Sequence, residues 1–324
     1  MRAIQIESPG QDYRLVAAEA DRPKPGAGEV LIEVAAAGLN NADLLQARGL
    51  YPPPPGASPI LGMEVSGVIA ELGDGTQGWQ VGDKVCALLP GGGYAQYARA
   101  DARCVLPVPA AIDLVQAAAL PEAVFTAWTN IMDAGRLAKG ESLLIHGGTS
   151  GIGSMAIQIF AARGHRIFTT AGSDEKCRAA HGFGAAYAIN YRKGDFVAAI
   201  KTETGGVGVD VILDMVGGDY VQRNIEAAAP WGRIVNIAYQ QGFRAEVNFA
   251  PVLTKRLTLA ATTLRGRTAA QKQAIRDTLL GEVWPLLGER IQPVTDRVFP
   301  WEQAGQAHEY MAKTGHIGKI LLSF

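Results

Sequence analysis

The stretch ESLLIHGGTSGIGSMAIQ, residues 141–158, determines the expected fold of this chain. Residues 142–146 are mostly apolar and predict a buried strand. The glycine-rich residues that follow predict a turn, and the apolar positions of 154–163 predict a helix. Glycines between a strand and a helix are typical of a loop that binds the pyrophosphate of a dinucleotide at the start of the helix. A purely structural turn is the alternative, because Ser150 replaces the middle glycine of the usual G-x-G-x-x-G pattern.

Each remaining glycine of this turn has a predicted role. Gly148 is expected to permit the tight turn, and Gly151 to leave the backbone open to the pyrophosphate. Gly153 is expected to let the helix pack closely on the strand. The predicted cofactor contacts of the turn are Gly148, Ser150, Gly151, Ile152 and Gly153. His146, at the end of the strand, is interpreted as structural.

The composition is that of a globular cytoplasmic protein. The chain has 324 residues, of which 48% are hydrophobic, so two domains with buried cores are expected. Its 30 basic and 31 acidic residues form no basic face or charged tail, which argues against nucleic acid or a membrane surface as a partner. The N-terminus lacks the apolar core of a signal peptide, and no apolar run is long enough to span a bilayer. Three scattered cysteines without a C-x-x-C pair predict neither a disulfide framework nor a cysteine-rich zinc site.

The patterning changes twice along the chain. Residues 1 to about 120 contain many short alternating strands separated by Gly and Pro, which predicts a barrel-like β domain. The following residues alternate strands with helices, which predicts an α/β fold with a doubly wound parallel sheet. The last stretch, residues 294–324, returns to strand, helix and strand. We expect it to rejoin the N-terminal domain, with the active site in the cleft between the two domains.

Motifs spread over the whole length identify a family resemblance. They are AGLNNADLLQARGLYPPP at 37–54, ILGMEVSG at 60–67, GDKV at 82–85, LPGGGYAQY at 89–97, LPEA at 120–123, HGGTSGIG at 146–153 and IGKI at 317–320. With these motifs the chain resembles the zinc-independent quinone oxidoreductases of the medium-chain dehydrogenase/reductase superfamily, and among them the tumour-suppressor-inducible type. The resemblance implies a GroES-like catalytic domain of residues 1–121 and 290–324 and a Rossmann domain of residues 122–289. It also implies NADPH-dependent reduction of a quinone, and a homodimer that pairs an edge strand near residues 257–262.

The resemblance also bears on zinc. In the zinc alcohol dehydrogenases that share this fold, a ligand Cys occupies the position of Asn40 and a ligand His the position of Met63. Neither residue supplies a thiolate or an imidazole, so we expect no metal site.

The choice of nicotinamide cofactor depends on the end of the second Rossmann strand. An NAD-binding domain places Asp or Glu there, whereas this chain has Ala171 followed by Gly172 and Ser173. We therefore expect NADPH, with its 2′-phosphate bound by Lys176 and Ser173. The resemblance adds Tyr191 as a further phosphate contact. The alternative for Lys176 is an ordinary solvated helix residue.

Other cofactor contacts follow from the resemblance. Thr126 is expected near the nicotinamide ribose, or else its hydroxyl bonds back within its own helix. The loop and strand end expected to flank the nicotinamide contribute Ile237, Tyr239, Thr262 and Leu264. Lys319 is expected either to reach the cofactor phosphates or to be a surface cation.

Asn40 and Tyr51 are the side chains expected to contact the quinone. An amide can bond a quinone oxygen, and a phenol can donate to that oxygen as charge develops. Tyr51 packed on the adjacent prolines is the alternative. Reduced quinone can take its proton from water, so no dedicated acid is required. Two other functions stay open: a 2-alkenal or enoyl-thioester reductase with Tyr51 as proton donor, and a non-catalytic NADPH-binding protein.

Overall fold

The computed structural model describes all 324 residues, Met1–Phe324. They form two compact units. The first unit contains Met1–Phe125 and Arg265–Phe324, and the second unit contains Thr126–Leu264.

The chain contains fifteen strands and nine α-helices. The strands are β1 (Arg2–Glu7), β2 (Arg14–Glu19), β3 (Glu29–Gly38), β4 (Glu64–Leu72), β5 (Lys84–Leu88), β6 (Tyr97–Asp101), β7 (Val105–Pro107), β8 (Ser142–His146), β9 (Arg166–Ala171), β10 (Tyr187–Asn190), β11 (Val209–Asp214), β12 (Ala228–Asn236), β13 (Thr258–Ala261), β14 (Thr295–Pro300) and β15 (Lys319–Ser323). The helices are α1 (Asn41–Ala47), α2 (Pro121–Trp128), α3 (Gly151–Ala162), α4 (Asp174–Gly182), α5 (Phe196–Glu203), α6 (Tyr220–Ala227), α7 (Ala250–Lys255), α8 (Ala269–Glu282) and α9 (Ala304–Ala312). None of these helices has the length and apolar content needed to cross a membrane.

The first unit is built on a seven-stranded sheet. Its strand order is β14-β15-β3-β4-β5-β7, and β6 also pairs with β3. The strand β15 closes the sheet by pairing antiparallel with residues 36–38 of β3. Alternate residues of the long strands face one core, in which Ile32, Val65, Ile69 and Leu322 are fully buried. This confirms the GroES-like β-rich domain.

The second unit contains a six-stranded parallel sheet in the order β10-β9-β8-β11-β12-β13. The central strands β8 and β11 are almost entirely buried and have apolar centres, Leu143–Ile145 and Val211–Leu213, as expected for strands covered on both faces. Because β8 is flanked by β9 on one side and β11 on the other, the strand order reverses beside it. In such sheets a dinucleotide binds where the order reverses, at the carboxyl ends of the strands. The doubly wound prediction is therefore confirmed.

One boundary differs from the prediction. The sequence assigns residues 265–289 to the Rossmann domain, whereas α8 and the residues after it lie in the first unit. Arg276 Nη1 donates to Ala102 O across 3.2 Å, and the indole nitrogen of Trp284 donates to Pro107 O across 2.8 Å. These contacts bind α8 and the turn that follows it to β7 and the turn before that strand. The helix α2 passes directly into a π-helical turn, Thr129–Ala134.

Candidate functional site

The glycine turn of the second unit connects β8 to α3. Gly147 has φ of +65°, so it makes the left-handed turn that the sequence assigned to Gly148. At Gly148 an added Cβ would lie 2.0 Å from Thr169 Oγ1, and at Gly153 it would lie 2.3 Å from Gly147 O. Gly148 and Gly153 are therefore required for close packing of the turn and the helix on the sheet.

Ser150 explains the departure from the usual glycine pattern. Its backbone is extended, with φ −70° and ψ 168°, so the position does not require glycine. Its hydroxyl oxygen accepts a hydrogen bond from Gly153 N at 3.0 Å and caps α3. The first N–H groups of an α-helix, here those of Gly151 and Ile152, have no acceptor within the helix. They are the groups on which an anion can bind at this end of α3.

The residues predicted to bind a 2′-phosphate lie together at the ends of β9 and β10. Tyr191 N donates to Ala171 O at 3.1 Å, which places Tyr191 beside the end of β9. A Cβ on Gly172 would lie 2.8 Å from the Tyr191 hydroxyl oxygen. Ser173 caps α4 by accepting from Lys176 N at 3.2 Å, and its hydroxyl keeps a hydrogen atom to donate. The geometry therefore places Tyr191 beside Gly172, and the backbone of Lys176 beside Ser173.

Asp174 follows these residues and carries a charge of the same sign as a phosphate. Lys193 Nζ donates to its carboxylate at 2.5 Å, and Asn190 Nδ2 donates at 2.6 Å. Those two hydrogen bonds lower the pKa of Asp174. The positive charge of Lys193 partly offsets the negative charge of Asp174, so Asp174 repels a nearby anion less strongly.

A hydrogen-bonded chain of the second unit includes two of the predicted nicotinamide contacts. Thr262 Oγ1 donates to Asn130 Oδ1 at 2.5 Å, and Asn130 Nδ2 donates to Thr126 O at 2.8 Å. Asn130 lies in the π-helical turn and was missed, because its neighbours along the sequence give no sign of a polar role. It fixes the strand end that carries Thr262 against the helix that carries Thr126.

The other predicted contacts of this group are placed by backbone bonds and packing. Ile237 N donates to Asp214 O at 2.8 Å, which holds the loop after β12 at the carboxyl end of β11. Tyr239 is partly exposed, with its ring centroid 5.5 Å from that of Phe243. Leu264 is buried.

His146 is enclosed in the second unit. Its Nδ1 lies 3.0 Å from Thr170 Oγ1 and its Nε2 lies 2.7 Å from Asn224 Oδ1. Burial lowers the pKa of His146, so the ring is neutral at pH 7. Its contacts connect β8, β9 and α6, which agrees with a structural role.

In the first unit, Asn40 belongs to a buried polar cluster with Glu64 and Lys319. Asn40 Nδ2 donates to Glu64 Oε1 at 2.9 Å. Lys319 Nζ donates to Asn40 Oδ1 at 2.7 Å and to Leu39 O at 2.9 Å, and it forms an ion pair with Glu64. The expectation that Lys319 reaches the cofactor phosphates or lies on the surface is wrong. The side chain is buried, and its three N–H donors are occupied by these partners.

This cluster also decides whether zinc fits. An ammonium group lies against the amide at the position where the zinc enzymes have a ligand Cys, and Met63 is buried beside Glu64. No three His, Cys, Asp or Glu side chains are grouped so that they could hold a metal ion. The donors at this position do not fit a tetrahedral zinc ion.

Asp43 adjoins the same cluster. Its Oδ2 accepts from Asn40 N at 2.8 Å and its Oδ1 accepts from Gly62 N at 3.1 Å. Burial raises the pKa of Asp43 to about 6, although these two backbone bonds and the charge of Lys319 oppose the shift. The Tyr94 hydroxyl donates to Asp43 Oδ2 at 3.3 Å.

A buried histidine continues this network. His308 Nε2 lies 3.2 Å from the Tyr94 hydroxyl, and Nδ1 lies 2.9 Å from the Tyr13 hydroxyl. Burial lowers the pKa of His308 to about 3, so the ring is neutral at pH 7. His308 and Glu64 were not expected here, because both lie far along the sequence from the residues they contact.

Tyr51 lies over a buried arginine of the first unit. The guanidinium carbon of Arg265 is 5.3 Å from the centroid of the Tyr51 ring, a cation–π distance. Burial raises the pKa of Tyr51, and the charge of Arg265 opposes that shift. Arg265 was not among the predicted site residues.

Comparison with known proteins agrees with both units. Residues 26–110 match the alcohol dehydrogenase GroES-like domain, and residues 151–279 match the zinc-binding dehydrogenase domain. The chain is 30% identical over 328 residues to quinone oxidoreductase of Rattus norvegicus, covering 99% of this chain and 97% of that protein. The structure of Escherichia coli quinone oxidoreductase complexed with NADPH is 28% identical, with a TM-score of 0.87 over 100% of this chain and 99% of that one.

A second group of similar proteins contains enoyl reductases and polyketide synthases. The chain is 33% identical over 320 residues to a phenolphthiocerol/phthiocerol polyketide synthase of Mycobacterium tuberculosis. That alignment covers 99% of this chain and spans only 15% of the synthase. The structure of CurK enoyl reductase is 29% identical, with a TM-score of 0.85 over 99% of this chain and 98% of that one.

Proposed function

The chain belongs to the medium-chain dehydrogenase/reductase superfamily, and from this premise we propose that it reduces quinones with NADPH and without zinc. The observation that carries the NADPH part of the proposal is Tyr191 beside Gly172, with Ser173 and Lys176 following at the start of α4. These side chains would supply donors and positive charge for a 2′-phosphate. The similarity to rat quinone oxidoreductase over nearly the whole of both chains supports a quinone as the acceptor. Within that class, the sequence motifs favour the tumour-suppressor-inducible type.

NADPH would supply a hydride, and the chain would bind and orient it. The N–H groups of Gly151 and Ile152 would hold the pyrophosphate at the positive end of α3. The loop carrying Ile237 and the strand end carrying Thr262 would flank the nicotinamide. Both lie at the carboxyl edge of the second sheet.

The first unit supports a reaction without zinc. Lys319 places a fixed positive charge against Asn40 and Glu64, and an ammonium group cannot be replaced by a metal ion without loss of its three hydrogen bonds. Quinone reduction also needs no proton donor for a carbon atom, because only oxygen is protonated. The neutral rings of His146 and His308 are poor proton donors at pH 7, and water can protonate the hydroquinone anion.

An enoyl or 2-alkenal reductase is the second candidate. The similarity to CurK enoyl reductase and to a segment of the polyketide synthases favours it. That reaction adds hydride to an activated C=C bond and then requires a proton at the neighbouring carbon. Tyr51 is the candidate donor, because its side chain is half-buried beside Arg265.

The test is oxidation of NADPH and of NADH, followed at the nicotinamide absorbance, with an ortho-quinone, a para-quinone and a 2-alkenal in the presence of chelator. We expect turnover of a quinone with NADPH that chelator does not change. Turnover of the alkenal alone would establish the second candidate. Binding of NADPH without turnover of any acceptor would indicate a non-catalytic binding protein.

A pair of variants tests separately the part of the proposal that concerns NADPH binding. Lys176→Ala is expected to raise KM for NADPH roughly tenfold or more, as for loss of one charge-assisted bond, and to leave KM for NADH unchanged. Arg178→Ala, an exposed position on the same helix, is the control. A wild-type preference for NADH would contradict the phosphate site.

A homodimer is also part of the proposal. The strand β13 lies at the edge of the second sheet, and three of its four residues are exposed. Its unpaired backbone groups are available to the same strand of a second copy. Light scattering of the purified chain tests this.

A further inference from the structure

Arg265 is a buried cation with one unused end. Arg265 is only 8% exposed to solvent. Nη2 donates to Gln46 Oε1 and to Pro90 O, both at 2.7 Å, and Nε donates to Pro90 O at 2.9 Å. Nη1 is buried and has no hydrogen-bond partner. A buried donor without an acceptor is unfavourable, and a buried charge is more so, which makes this end of the side chain a place for an incoming oxygen.

The guanidinium group is held in one orientation from several sides. Lys272 Nζ donates to Arg265 O at 3.1 Å, which fixes the backbone at this position. Gln46 Nε2 donates to Pro59 O at 3.1 Å, which orients the amide oxygen that Arg265 binds. The two occupied nitrogens therefore set the direction of Nη1 before any ligand arrives.

No carboxylate forms an ion pair with this arginine. Burial lowers the pKa of Arg265, whereas Tyr51, Asp43 and Glu122 raise it through their charges. Arginine nevertheless stays protonated in proteins, so the positive charge is present at every working pH. A ligand group that becomes negative during the reaction would supply the ion-pair partner that Arg265 lacks.

Tyr51 stacks its ring on one face of the guanidinium group. It lies in the segment between α1 and β4, where Gly49 and Gly56 adopt φ of +76° and +81°. The centroid of its ring is 5.3 Å from the guanidinium carbon. Tyr51 itself lies in a bend, outside every helix and strand. Because no helix or strand holds Tyr51, its aromatic face is free to pack on a flat ligand beside the guanidinium group.

We propose that Nη1 of Arg265 binds the acceptor oxygen on which negative charge develops, and that the Tyr51 ring packs on the acceptor beside it. This inference rests on the proposed function. Hydride transfer to a quinone moves two electrons and one proton, so a hydroquinone anion with a negative oxygen remains until water protonates it. Hydride addition to the β-carbon of an enone or enoyl thioester moves the C=C electrons onto the carbonyl oxygen, which becomes an enolate. Arg265 therefore selects acceptors whose carbonyl is conjugated to the bond that is reduced.

The experiment compares Arg265→Gln, Arg265→Lys and the control Arg267→Gln, which changes a more exposed arginine two residues away. Benzoate is the probe, because its carboxylate presents an anionic oxygen on a flat ring. Its Kd is measured by calorimetry with NADPH bound, and benzyl alcohol is the uncharged comparison. We expect Arg265→Gln to raise the benzoate Kd and to lower kcat/KM for the acceptor, each roughly tenfold to hundredfold. Arg267→Gln leaves both unchanged.

Further measurements separate this role from a structural one. Arg265→Lys keeps the charge without the planar fork and is expected to recover only part of the benzoate affinity. Kd for NADPH stays at the wild-type value in all variants. If Arg265→Gln does not fold, Tyr51→Ala replaces it. Loss of the ring that packs on the flat ligand is then expected to raise the benzoate Kd and to lower acceptor kcat/KM together, and an unchanged benzoate Kd would contradict the inference.

Two results overturn the inference: wild-type protein that binds no benzoate, or Arg265→Gln that binds benzoate and turns over like Arg267→Gln. The second result leaves the proposed function intact. Conversely, if no acceptor is reduced but benzoate binding still depends on Arg265, the proposed function fails while the anion site stands.

Discussion

The ammonium group of Lys319 donates a hydrogen bond across 2.7 Å to the side-chain oxygen of Asn40, a residue 279 positions earlier in the chain. Asn40 also donates through Nδ2 to Glu64, so the orientation of its amide is determined at both ends. The second Nδ2 hydrogen atom has only a long contact, 3.5 Å, with Gly38 O. An acceptor oxygen bound by Asn40 would use that hydrogen atom.

Replacement of Lys319 is expected to destabilise the first unit. Lys319→Met leaves the Glu64 carboxylate buried without its cation, which should lower the free energy of unfolding by about 3–5 kcal/mol. Urea denaturation measures the change, with Lys313→Met, an exposed lysine nearby, as control. Adding Glu64→Gln should recover part of the loss. A single variant within about 1 kcal/mol of wild type would show that the ion pair contributes little.

Asp43 predicts a pH dependence of stability. Its pKa in the folded protein is about 6, above the usual 3.8, because of burial. The folded state therefore keeps a proton that the unfolded state loses, so the free energy of unfolding decreases as pH rises from about 4 to about 6 and stays lower above that range. Asp43→Asn should reduce this decrease by about 3 kcal/mol. Urea titrations between pH 4 and pH 7.5 measure it, with exposed Asp12→Asn as control; equal slopes in both variants would contradict the assignment.

Gly172 tests the geometry of the phosphate cluster. In Gly172→Ala the new Cβ would lie 2.8 Å from the Tyr191 hydroxyl oxygen, so the Tyr191 ring must move away. KM for NADPH should rise about tenfold, as for the loss of one bond to phosphate, while KM for NADH stays constant. Gly182→Ala has no atom within 4 Å of the new Cβ and serves as the control. An equal rise for both cofactors would indicate a general distortion of the fold.

Tyr51 distinguishes the two candidate reactions. Tyr51→Phe keeps the ring on Arg265 and removes only the hydroxyl group. Quinone turnover should stay within about threefold of wild type, whereas reduction of a 2-alkenal should fall by about 10²–10⁴ if the hydroxyl supplies its proton. Steady-state kinetics with both acceptors provides the comparison. Equal losses on both would assign the hydroxyl to binding rather than to proton transfer.

The fold was predictable where the signal is local. The strand β8 matches its predicted bounds because a buried parallel strand with an apolar centre is recognisable from its own residues. The position of α8 was not predictable, since an amphipathic helix does not reveal which sheet its buried face will contact. Trp284 contacts Pro107 across 177 positions, and no pattern near either residue indicates that pairing.

The same distinction applies to the site. Ser173 and Lys176 were predicted as phosphate contacts from the residues at the end of one strand, and the family resemblance added Tyr191; the backbone bond from Tyr191 N to Ala171 O does place Tyr191 beside that strand end. Lys319 was given the wrong role, because burial of a lysine is set by partners 255 and 279 positions away. Arg265 was missed for a similar reason, since its partner Gln46 lies 219 positions earlier and a polar loop near a strand end is ordinary.

The pairing of β15 with residues 36–38 of β3 has a consequence for the order of events during synthesis. The second unit is one continuous segment, Thr126–Leu264, so it is complete on the ribosome before the first unit can be. Until residues 319–323 emerge, part of β3 has an open edge and Glu64 has no cation beside it. Because contacts of such long sequence separation form slowly, we expect the first unit to mature last and to be the part of the nascent chain that most needs protection from aggregation.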